Sequence, residues 1–364
     1  MEILALEPTS LCNRSCRHCL RNPADPPGSL PLEVADSILA QAETLGFRAV
    51  CLTGGEVSLY PHLEDLLSLI AARGFKLTLV TNGFKFGERL LPLLLKPPVK
   101  ERVASVCFSL DGAGAATHDG LRGPKSFREV FEALLLCRGH RIPTSLKSVV
   151  TALTLNQGEL TELALLGARL GAKEHEFLYP ILNPKLIREG LLPSQDKLNA
   201  TMRWLAADLV GALRARVNME DGRGPAALSG PGPGRTAKYE ITVNGYLPEG
   251  PNGECRELVE ALYVDYLGNL VFCCTLSHVN MGDRAPTPPV RELVADLKEV
   301  PLKEGIERRR RLADEVMNAR RNDPGNSRGL AATPCLWCLR WFGKLEWLRD
   351  FPQSSWAADV LDGG

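Results

Sequence analysis

The stretch Cys12-Asn13-Arg14-Ser15-Cys16-Arg17-His18-Cys19, here called the cysteine loop, carries three cysteines in a C-x3-C-x2-C spacing. It follows Ile3-Leu4-Ala5-Leu6, a short apolar run that predicts a β-strand. Thiolates are the preferred ligands of iron–sulfur clusters, and a loop after a strand can wrap three of them around one cube. Three ligands for a four-iron cluster leave one iron open, as a site requires when a substrate or cofactor must coordinate metal.

Two simpler interpretations of the cysteine loop are a zinc loop and a set of buried free thiols. Structural zinc takes four ligands, commonly from two paired motifs, and the C-x3-C-x2-C spacing supplies three. The ligand count therefore favours an iron–sulfur cluster over zinc.

The composition indicates a soluble globular protein. The chain has 364 residues, 45% hydrophobic and 24% charged, which is enough for two domains or one large one. Its formal net charge of +0 gives no indication of nucleic acid or a membrane surface as partner. No apolar run approaches the about 20 residues of a membrane helix, and the first strand begins almost at the N-terminus. We therefore expect a cytoplasmic protein without a signal peptide.

Eleven cysteines need an explanation in a neutral chain of this length. A disulfide scaffold does not fit, because the chain is long and the cysteine spacings are typical of metal sites. Cys51, Cys107 and Cys137 lie in apolar strand or helix contexts and are predicted to be small core residues. The other eight cysteines remain as candidates for chemistry.

The first half of the chain alternates strand and helix patterns. Six apolar runs predict strands at residues 3–6, 48–52, 76–80, 103–110, 145–151 and 176–179. Helical periodicity separates them at residues 32–45, 63–73, 88–95, 126–138 and 159–170. This order implies right-handed βαβ units, a parallel sheet and an α/β fold of the partial (β/α)6 TIM-like barrel type.

Glycines and polar residues stand at the ends of the second, third and fourth strands: Gly54-Gly55-Glu56, Asn82 and Ser109. In a parallel barrel these strand ends share one edge with the cysteine loop, and chemistry collects at that edge. Two glycines let the backbone approach a ligand closely, although a tight turn between strand and helix explains them equally well.

The second half carries another set of cysteines. A segment rich in Gly and Pro, residues 222–234, predicts a linker or loop. Residues 261–274 predict a hairpin around Gly268-Asn269. Four cysteines, here called the auxiliary cysteines, flank this hairpin or form a C-x2-C near the C-terminus: Cys255, Cys273, Cys335 and Cys338. Coordination chemistry alone allows zinc or a four-iron cluster here.

The cysteine loop resembles the signature of the radical S-adenosylmethionine (SAM) enzymes. In that family the open iron chelates the amino and carboxylate groups of SAM, and an electron from the cluster cleaves SAM to a 5′-deoxyadenosyl radical. The resemblance implies that His18 lies near the adenine. It also implies that Gly54-Gly55-Glu56 binds the SAM amino group, although Val57 stands where the family often has proline.

The same resemblance assigns further residues to SAM. It places Asn82 in the SAM-binding set, and Ser109 and Arg122 near the ribose and carboxylate, because arginine can hold a carboxylate in a bidentate way. Arg128 is the alternative to Arg122. A third interpretation is that Arg122 only pairs with Asp119 on a surface loop.

The auxiliary cysteines resemble the SPASM/twitch extension of radical SAM enzymes, in the short form with one auxiliary [4Fe–4S] cluster, because no cysteine follows Cys338. The implied domains are a radical SAM core over residues 1–220, a linker over 221–238, a twitch-like domain over 239–345 and a tail over 346–364. Cys274 is left over as a core residue, an alternative ligand or a thiol near the substrate.

The resemblance implies an oxidoreductase that abstracts hydrogen from a peptide or protein, supplied with electrons by a flavodoxin or ferredoxin. Small-molecule dehydrogenation is the alternative, and a non-catalytic iron–sulfur carrier is an alternative of another class. The sequence does not assign the catalytic acid–base residues, and Asp265 and Glu240 are candidates near the hairpin. A basic helix at residues 306–321 predicts a solvated face, or a dock for an acidic partner or leader peptide.

Overall fold

The computed structural model of the chain describes residues 2–22, 24–213, 239–246, 255, 258, 260–277, 281, 292–323 and 333–361. Its strands, in chain order, are β1 Ile3–Leu6, β2 Ala49–Leu52, β3 Lys76–Thr81, β4 Val103–Ser109, β5 Thr144–Val149, β6 Glu174–Leu178, β7 Glu240–Asn244, β8 Ala261–Val264, β9 Asn269–Val271 and β10 Leu293–Asp296. They form one sheet in the order β10-β9-β8-β1-β2-β3-β4-β5-β6-β7.

The helices with described bounds are α1 Leu32–Thr44, α2 Leu63–Ala72, α3 Phe86–Arg89, α4 Leu91–Leu94, α5 Val99–Arg102, α6 Ala115–Arg122, α7 Ser126–Gly139, α8 Gln157–Leu170, α9 Pro184–Arg188, α10 Gln195–Ala207, α11 Leu302–Arg321, α12 Pro334–Trp341 and α13 Ser355–Leu361. Two 3-10 segments occupy Val57–Leu59 and Glu346–Asp350. Within the described ranges, none of these helices is both long enough and apolar enough to cross a bilayer.

The first six strands are parallel, and each is joined to the next by at least one helix. On β1 and β2, alternate residues such as Leu4, Leu6 and Val50 are fully buried in the apolar core. The residues between them, such as Ala5 and Cys51, point to the opposite face of the sheet, because side chains alternate along a strand. This opposite face is here called the inner face. The predicted α/β partial barrel is confirmed.

Strands from the second half extend this sheet at both edges. β7 pairs parallel with β6, and β8 pairs parallel with β1. β8 and β9 form an antiparallel hairpin, as predicted, and Gly268 in its turn has a positive φ of 84° that favours glycine. The predicted linker over residues 221–238 lies outside the described residues, so the division into domains stays a prediction.

Two helices differ from the sequence-based expectation. The predicted helix over residues 88–95 is divided into α3 and α4, with Pro92 in the first turn of α4, where proline is tolerated because no N–H is needed. Residues 115–122 form α6, which was not predicted because Gly120 lowers the helix propensity of a short segment.

Candidate functional site

The three thiols of the cysteine loop lie close to one another after β1. Cys16 is buried, Cys19 is half-buried and Cys12 is exposed. Although Cys12 as a residue is exposed, partial desolvation of its thiol raises the thiol pKa to about 11, and the nearby charges of Cys16 and Cys19 add to this shift. Thiols this close repel one another as thiolates, so a positively charged metal group would stabilise all three together.

The cysteine loop is held in place by side chains from distant parts of the chain. Lys185 Nζ donates to the Cys16 carbonyl oxygen at 2.7 Å. Arg17 Nη1 donates to the Gly120 carbonyl oxygen at 3.1 Å, and Arg17 Nε donates to the Glu189 carboxylate at 2.7 Å. These contacts anchor the loop to α6 and to the region of α9, so its thiols are pre-positioned.

The glycines after β2 pack directly against the cysteine loop. The Gly55 N–H donates to the Thr9 carbonyl at 2.9 Å, and the Glu56 N–H donates to the Leu11 carbonyl at 2.7 Å. A Cβ added at Gly55 would stand 2.6 Å from the Ser10 carbonyl oxygen. Glycine is therefore required for close backbone contact between two loops, whereas we expected the space to be reserved for the SAM amine.

Glu56 connects the loops after β2 and β3. Its carboxylate is buried and accepts from Thr81 Oγ1 and from the Asn82 N–H, both at 2.8 Å. Burial raises the pKa of Glu56, while these two donors act in the opposite direction. Asn82 Nδ2 in turn donates to Asn13 Oδ1 at 2.9 Å and lies 3.8 Å from Cys12 Sγ. The predicted residues Glu56 and Asn82 are thus brought together beside the cysteine loop.

Asp111, at the end of β4, is the centre of a buried network that the sequence reasoning missed. Its side chain is 0% exposed, lies 3.3 Å from His18 Nε2 and contacts Arg122 Nε. Its other carboxylate oxygen accepts from the Val149 N–H at 2.8 Å, and its own N–H donates to His118 Nδ1 at 3.1 Å. The stretch Ser109-Leu110-Asp111-Gly112 at the end of β4 was the available signal, because an aspartate there could have been read as the partner of a nearby arginine.

Asp111 and His18 differ in their charge near neutral pH. Burial acts to raise the pKa of Asp111, but Arg122 and His18 outweigh it and lower the pKa to about 2. Burial lowers the pKa of His18 to about 4, even though Asp111 opposes this shift. Near neutral pH a neutral His18 therefore faces an ionised Asp111, with Nε2 as donor and Nδ1 as acceptor.

His18 Nδ1 is buried and has no hydrogen-bond partner among the residues that the structure describes. A buried polar atom is normally paired, so a ligand that donates a hydrogen bond fits this position. The close thiols and this acceptor together fit an iron–sulfur cluster with a bound SAM. Which SAM group each residue contacts stays a prediction.

The arginines predicted for the SAM carboxylate have different surroundings. Arg122 is paired with Asp111, and the Asp119 carboxylate instead accepts from backbone N–H groups at the start of α7. Arg128 is exposed and pairs along its own helix. Arg122 also acts on Cys16, where its charge opposes the effect of burial on the thiol pKa. Of the two candidates for the SAM carboxylate, Arg122 is therefore the one that lies beside the cysteine loop.

Polar side chains line the inner face. Lys147 Nζ lies 2.9 Å from Glu176 Oε2, and Asn244 Nδ2 donates to Glu176 Oε1 at 3.0 Å. Ser109, at the end of β4, pairs in register with Lys147 and is half-buried. The hydrogen-bonding groups of β4 to β7 thus face the space that the partial barrel encloses.

The cysteines predicted for the apolar core divide into two groups. Cys137 lies in the core, as predicted. Cys107 is buried, but its thiol bonds Ser145 and lies near Lys147. Cys51 is half-buried and also lies near Lys147, so its predicted core position is wrong. The apolar residues flanking Cys51 belong to the other face of β2, and for this reason its sequence context was misleading.

Cys338 lies near two of the other auxiliary cysteines, Cys273 and Cys255. Burial raises the pKa of Cys338, and the charges of Cys273 and Cys255 raise it further. Cys335 and Cys338, the C-x2-C pair, lie on the helix α12. Among the described residues, no three His, Cys, Asp or Glu side chains are grouped as ligands of a single ion. The assignment of all seven cysteines to clusters stays a prediction.

The acid–base candidates lie in unfavourable surroundings. The Asp265 carboxylate is fully buried and accepts from the Leu267 N–H at 2.9 Å and the Asn269 N–H at 2.8 Å, so it stabilises the hairpin turn. Glu240 is exposed at the start of β7. Cys274 lies near Tyr263, whose neighbours Leu262 and Val264 are fully buried on the other face.

We expect Gly55→Ala to weaken SAM binding at least about tenfold, which corresponds to about 1.4 kcal/mol. The new Cβ meets the backbone of the cysteine loop, so the loop must move and the thiols lose their alignment. Isothermal titration of SAM into the reconstituted protein measures this. Gly114→Ala is the control, because no atom lies within 4 Å of its added Cβ. If Gly55→Ala bound SAM with wild-type affinity, the cysteine loop and the loop after β2 could accommodate the added Cβ.

We expect Asp111→Asn to destabilise the fold by about 3–5 kcal/mol, because it leaves the buried Arg122 without its counter-charge. Urea unfolding followed by circular dichroism measures the loss. Arg128→Gln removes an exposed ion pair and should leave the stability nearly unchanged. If Asp111→Asn and Arg128→Gln lost equal free energies of unfolding, the buried Asp111–Arg122 pair would not be important for stability.

Comparison with known proteins agrees with this site. A sequence model described as the radical SAM superfamily matches residues 6–166, which include the cysteine loop and the motifs after β2, β3 and β4. The AdoMet-dependent heme synthase of Methanosarcina barkeri is 28% identical over 188 residues, 49% of this chain and 51% of the relative. The PqqA peptide cyclase of Gluconobacter oxydans is 30% identical over 217 residues, 57% of this chain and 58% of the relative.

Among solved structures, Streptococcus suis SuiB bound to S-adenosylmethionine matches with a TM-score of 0.62 and 14% identity, over 89% of this chain and 66% of SuiB. This likeness concerns the fold. The chain spans about half the length of the curated relatives that it matches. With the matched motifs placed at one edge of a partial barrel, residues 6–166 are identified as a radical SAM domain.

Proposed function

We propose that this protein is a radical SAM enzyme that oxidises a peptide or protein. The observation that carries the proposal is the meeting of Cys12, Cys16 and Cys19 with Asn82 and Glu56 at the C-terminal ends of β1, β2 and β3. This is the edge of a parallel barrel at which catalytic groups collect.

When bound at this edge, a four-iron cluster and SAM supply a 5′-deoxyadenosyl radical. The side chains of the protein hold the residues of this site in position. Lys185 and Arg17 hold the cysteine loop, Glu56 fixes Asn82 against it, and Asp111 fixes both His18 and Arg122. A rigid site of this kind limits where the radical can react, because hydrogen transfer requires near contact between the reacting atoms.

A peptide is the favoured substrate because the similarity to a PqqA peptide cyclase extends over more of the chain than the radical SAM match does. The similarity to a heme synthase supports the small-molecule alternative. The inner face, with Lys147, Glu176 and Asn244, offers hydrogen-bonding groups to either substrate. The flavodoxin or ferredoxin donor and the cytoplasmic location stay predictions.

The test uses the anaerobically reconstituted protein with SAM, a reductant and a short peptide encoded next to its gene. We expect the peptide to lose two hydrogen atoms, seen by mass spectrometry, and 5′-deoxyadenosine to form in step with this loss. Uniform deuteration of the peptide should place deuterium in the 5′-deoxyadenosine. Deuterium transfer from a small molecule but from no peptide would favour the alternative.

The response of the protein to SAM distinguishes a non-catalytic carrier from an enzyme that acts on a peptide or on a small molecule. A carrier needs its clusters and no SAM pocket, whereas the paired loops, the unpartnered His18 Nδ1 and the buried Asp111–Arg122 pair surround a place for a ligand. Loaded clusters in the reconstituted protein, with no SAM binding and no 5′-deoxyadenosine on reduction, would favour the carrier.

A further inference from the structure

The turn of the hairpin between β8 and β9 reaches the base of the cysteine loop, which comprises residues 7–10 before the loop and residues 21–28 after it. Tyr266 belongs to this turn and is 1% exposed, so its ring is enclosed by protein. The guanidinium carbon of Arg21 lies 5.5 Å from the centroid of this ring. A guanidinium at this distance from an aromatic face is attracted by the ring electrons. Tyr266 therefore contacts the chain just after the cysteine loop.

Arg21 connects the two sides of this base. Its guanidinium forms an ion pair with Glu7, a buried residue that directly follows β1. The Glu7 N–H donates to the Val264 carbonyl oxygen at 2.9 Å, so Glu7 is itself fixed to β8. The chain from Glu7 to Arg21 is thereby closed at its base, and a shift of Arg21 would move the three thiols that lie between them.

Tyr266 has further contacts on both sides of the base. Its hydroxyl donates to the Pro26 carbonyl oxygen at 3.0 Å, and a Cβ added at Gly28 would stand 3.0 Å from its ring. The Gly28 carbonyl oxygen accepts from the Ser10 N–H at 2.9 Å and from Thr9 Oγ1 at 3.0 Å. The ring thus packs against a segment that is hydrogen-bonded to the residues just before the cysteine loop.

These contacts join the two halves of the sequence. The radical SAM match covers residues 6–166, and Tyr266 lies outside it. A metal or ligand site works well only when packed neighbours hold its groups within about 0.5 Å of the productive geometry. A buried ring that packs against the base of the loop meets this requirement from outside the matched domain.

We propose that Tyr266 is a positioning residue for the SAM site. Its ring holds Arg21, and Arg21 with Glu7 holds the cysteine loop in the geometry that binds SAM. The hairpin of the second half thus contributes to SAM affinity through the base of the loop. The inference rests on the SAM site of the proposed function, and it depends neither on the substrate nor on the metal at the auxiliary cysteines.

The experiment uses the reconstituted full chain, with SAM as the probe. Tyr266→Leu removes the ring, Tyr266→Phe keeps the ring and removes the hydroxyl, and Arg21→Gln removes the charge. Tyr246→Leu is the matched control, because Tyr246 is also a buried tyrosine whose hydroxyl accepts from an arginine, Arg203, at 3.4 Å, but it follows the edge strand β7. The measurements are iron content, circular dichroism, isothermal titration of SAM and the effect of SAM on the electron paramagnetic resonance spectrum of the reduced core cluster.

We expect Tyr266→Leu and Arg21→Gln each to weaken SAM binding at least about tenfold and to reduce the spectral change caused by SAM, with iron content and circular dichroism unchanged. Tyr266→Phe should keep most of the affinity, because the ring stays beside Arg21. The double variant of Tyr266→Leu and Arg21→Gln should lose no more than Arg21→Gln alone, because both changes remove the same interaction. Tyr246→Leu should bind SAM as the wild type does.

Wild-type SAM affinity in Tyr266→Leu would overturn the inference, and so would an equal loss in Tyr246→Leu. Losses that add in the double variant would contradict the action through Arg21. If Tyr266→Leu does not fold, Arg21→Gln decides: a tenfold loss with retained iron supports the inference, and wild-type affinity overturns it. An iron-loaded wild-type protein that binds no SAM would contradict the proposed function, and the inference with it.

Discussion

Replacing Cys12, Cys16 and Cys19 together by alanine should abolish 5′-deoxyadenosine formation and leave about four irons per chain. In the proposed function SAM chelates the open iron held by these three thiolates, and the auxiliary cluster, with four cysteine ligands, leaves no iron open. Iron analysis and chromatography of the quenched reaction measure both quantities. The matched control is Cys137→Ala, which removes a thiol from the apolar core and should keep the chemistry.

Retention of 5′-deoxyadenosine in the triple variant would contradict the assignment of the cysteine loop. Loss of all iron would mean that the two cysteine sets do not load independently. Loss of all iron would not contradict the SAM site at the cysteine loop. It would show that loading of the auxiliary cysteines with iron depends on the cysteine loop, which we do not expect.

Cys335→Ala should lower the iron content from about eight to about four per chain, if both sites hold four irons. Cys335 comes from α12 and Cys273 from the end of the hairpin, so the metal group ties distant segments together, and we expect this region to loosen as well. The variant should still cleave SAM with a chemical reductant and fail to convert substrate. Mössbauer spectra and limited proteolysis measure the two effects.

Cys274→Ala is the control for this prediction. Cys274 adjoins Cys273 but lies near Tyr263, so its removal should leave about eight irons in place. If Cys274→Ala lost four irons and Cys273→Ala lost none, Cys274 would be the ligand from the hairpin. One zinc and four irons in the wild type would replace the auxiliary cluster by a structural zinc site.

The fold could be predicted largely from local patterns. The apolar runs and helical periodicity of residues 3–178 place all six parallel strands, and Gly268-Asn269 marks the hairpin turn. Local patterns do not say which strands of the second half are neighbours of strands in the first half. The pairing of β7 with β6 and of β8 with β1 therefore appeared only in the structure.

The site was predictable where spacing carries the chemistry and less so where burial does. The cysteine spacing and the motifs after β2 and β3 indicated residues that the fold brings together. Asp111 was missed because its importance comes from complete burial against His18 and Arg122, which no spacing encodes. Cys51 was misjudged because neighbouring residues of a strand face opposite sides of the sheet.

The central claim is that the cysteine loop, with the groups fixed around it, cleaves SAM. The direct measurement is the amount of 5′-deoxyadenosine and methionine formed when the reconstituted wild-type protein is reduced in the presence of SAM. We predict that both products form in equal amounts and that neither forms without reductant. A fully loaded protein that binds SAM and yields neither product on reduction would contradict the account.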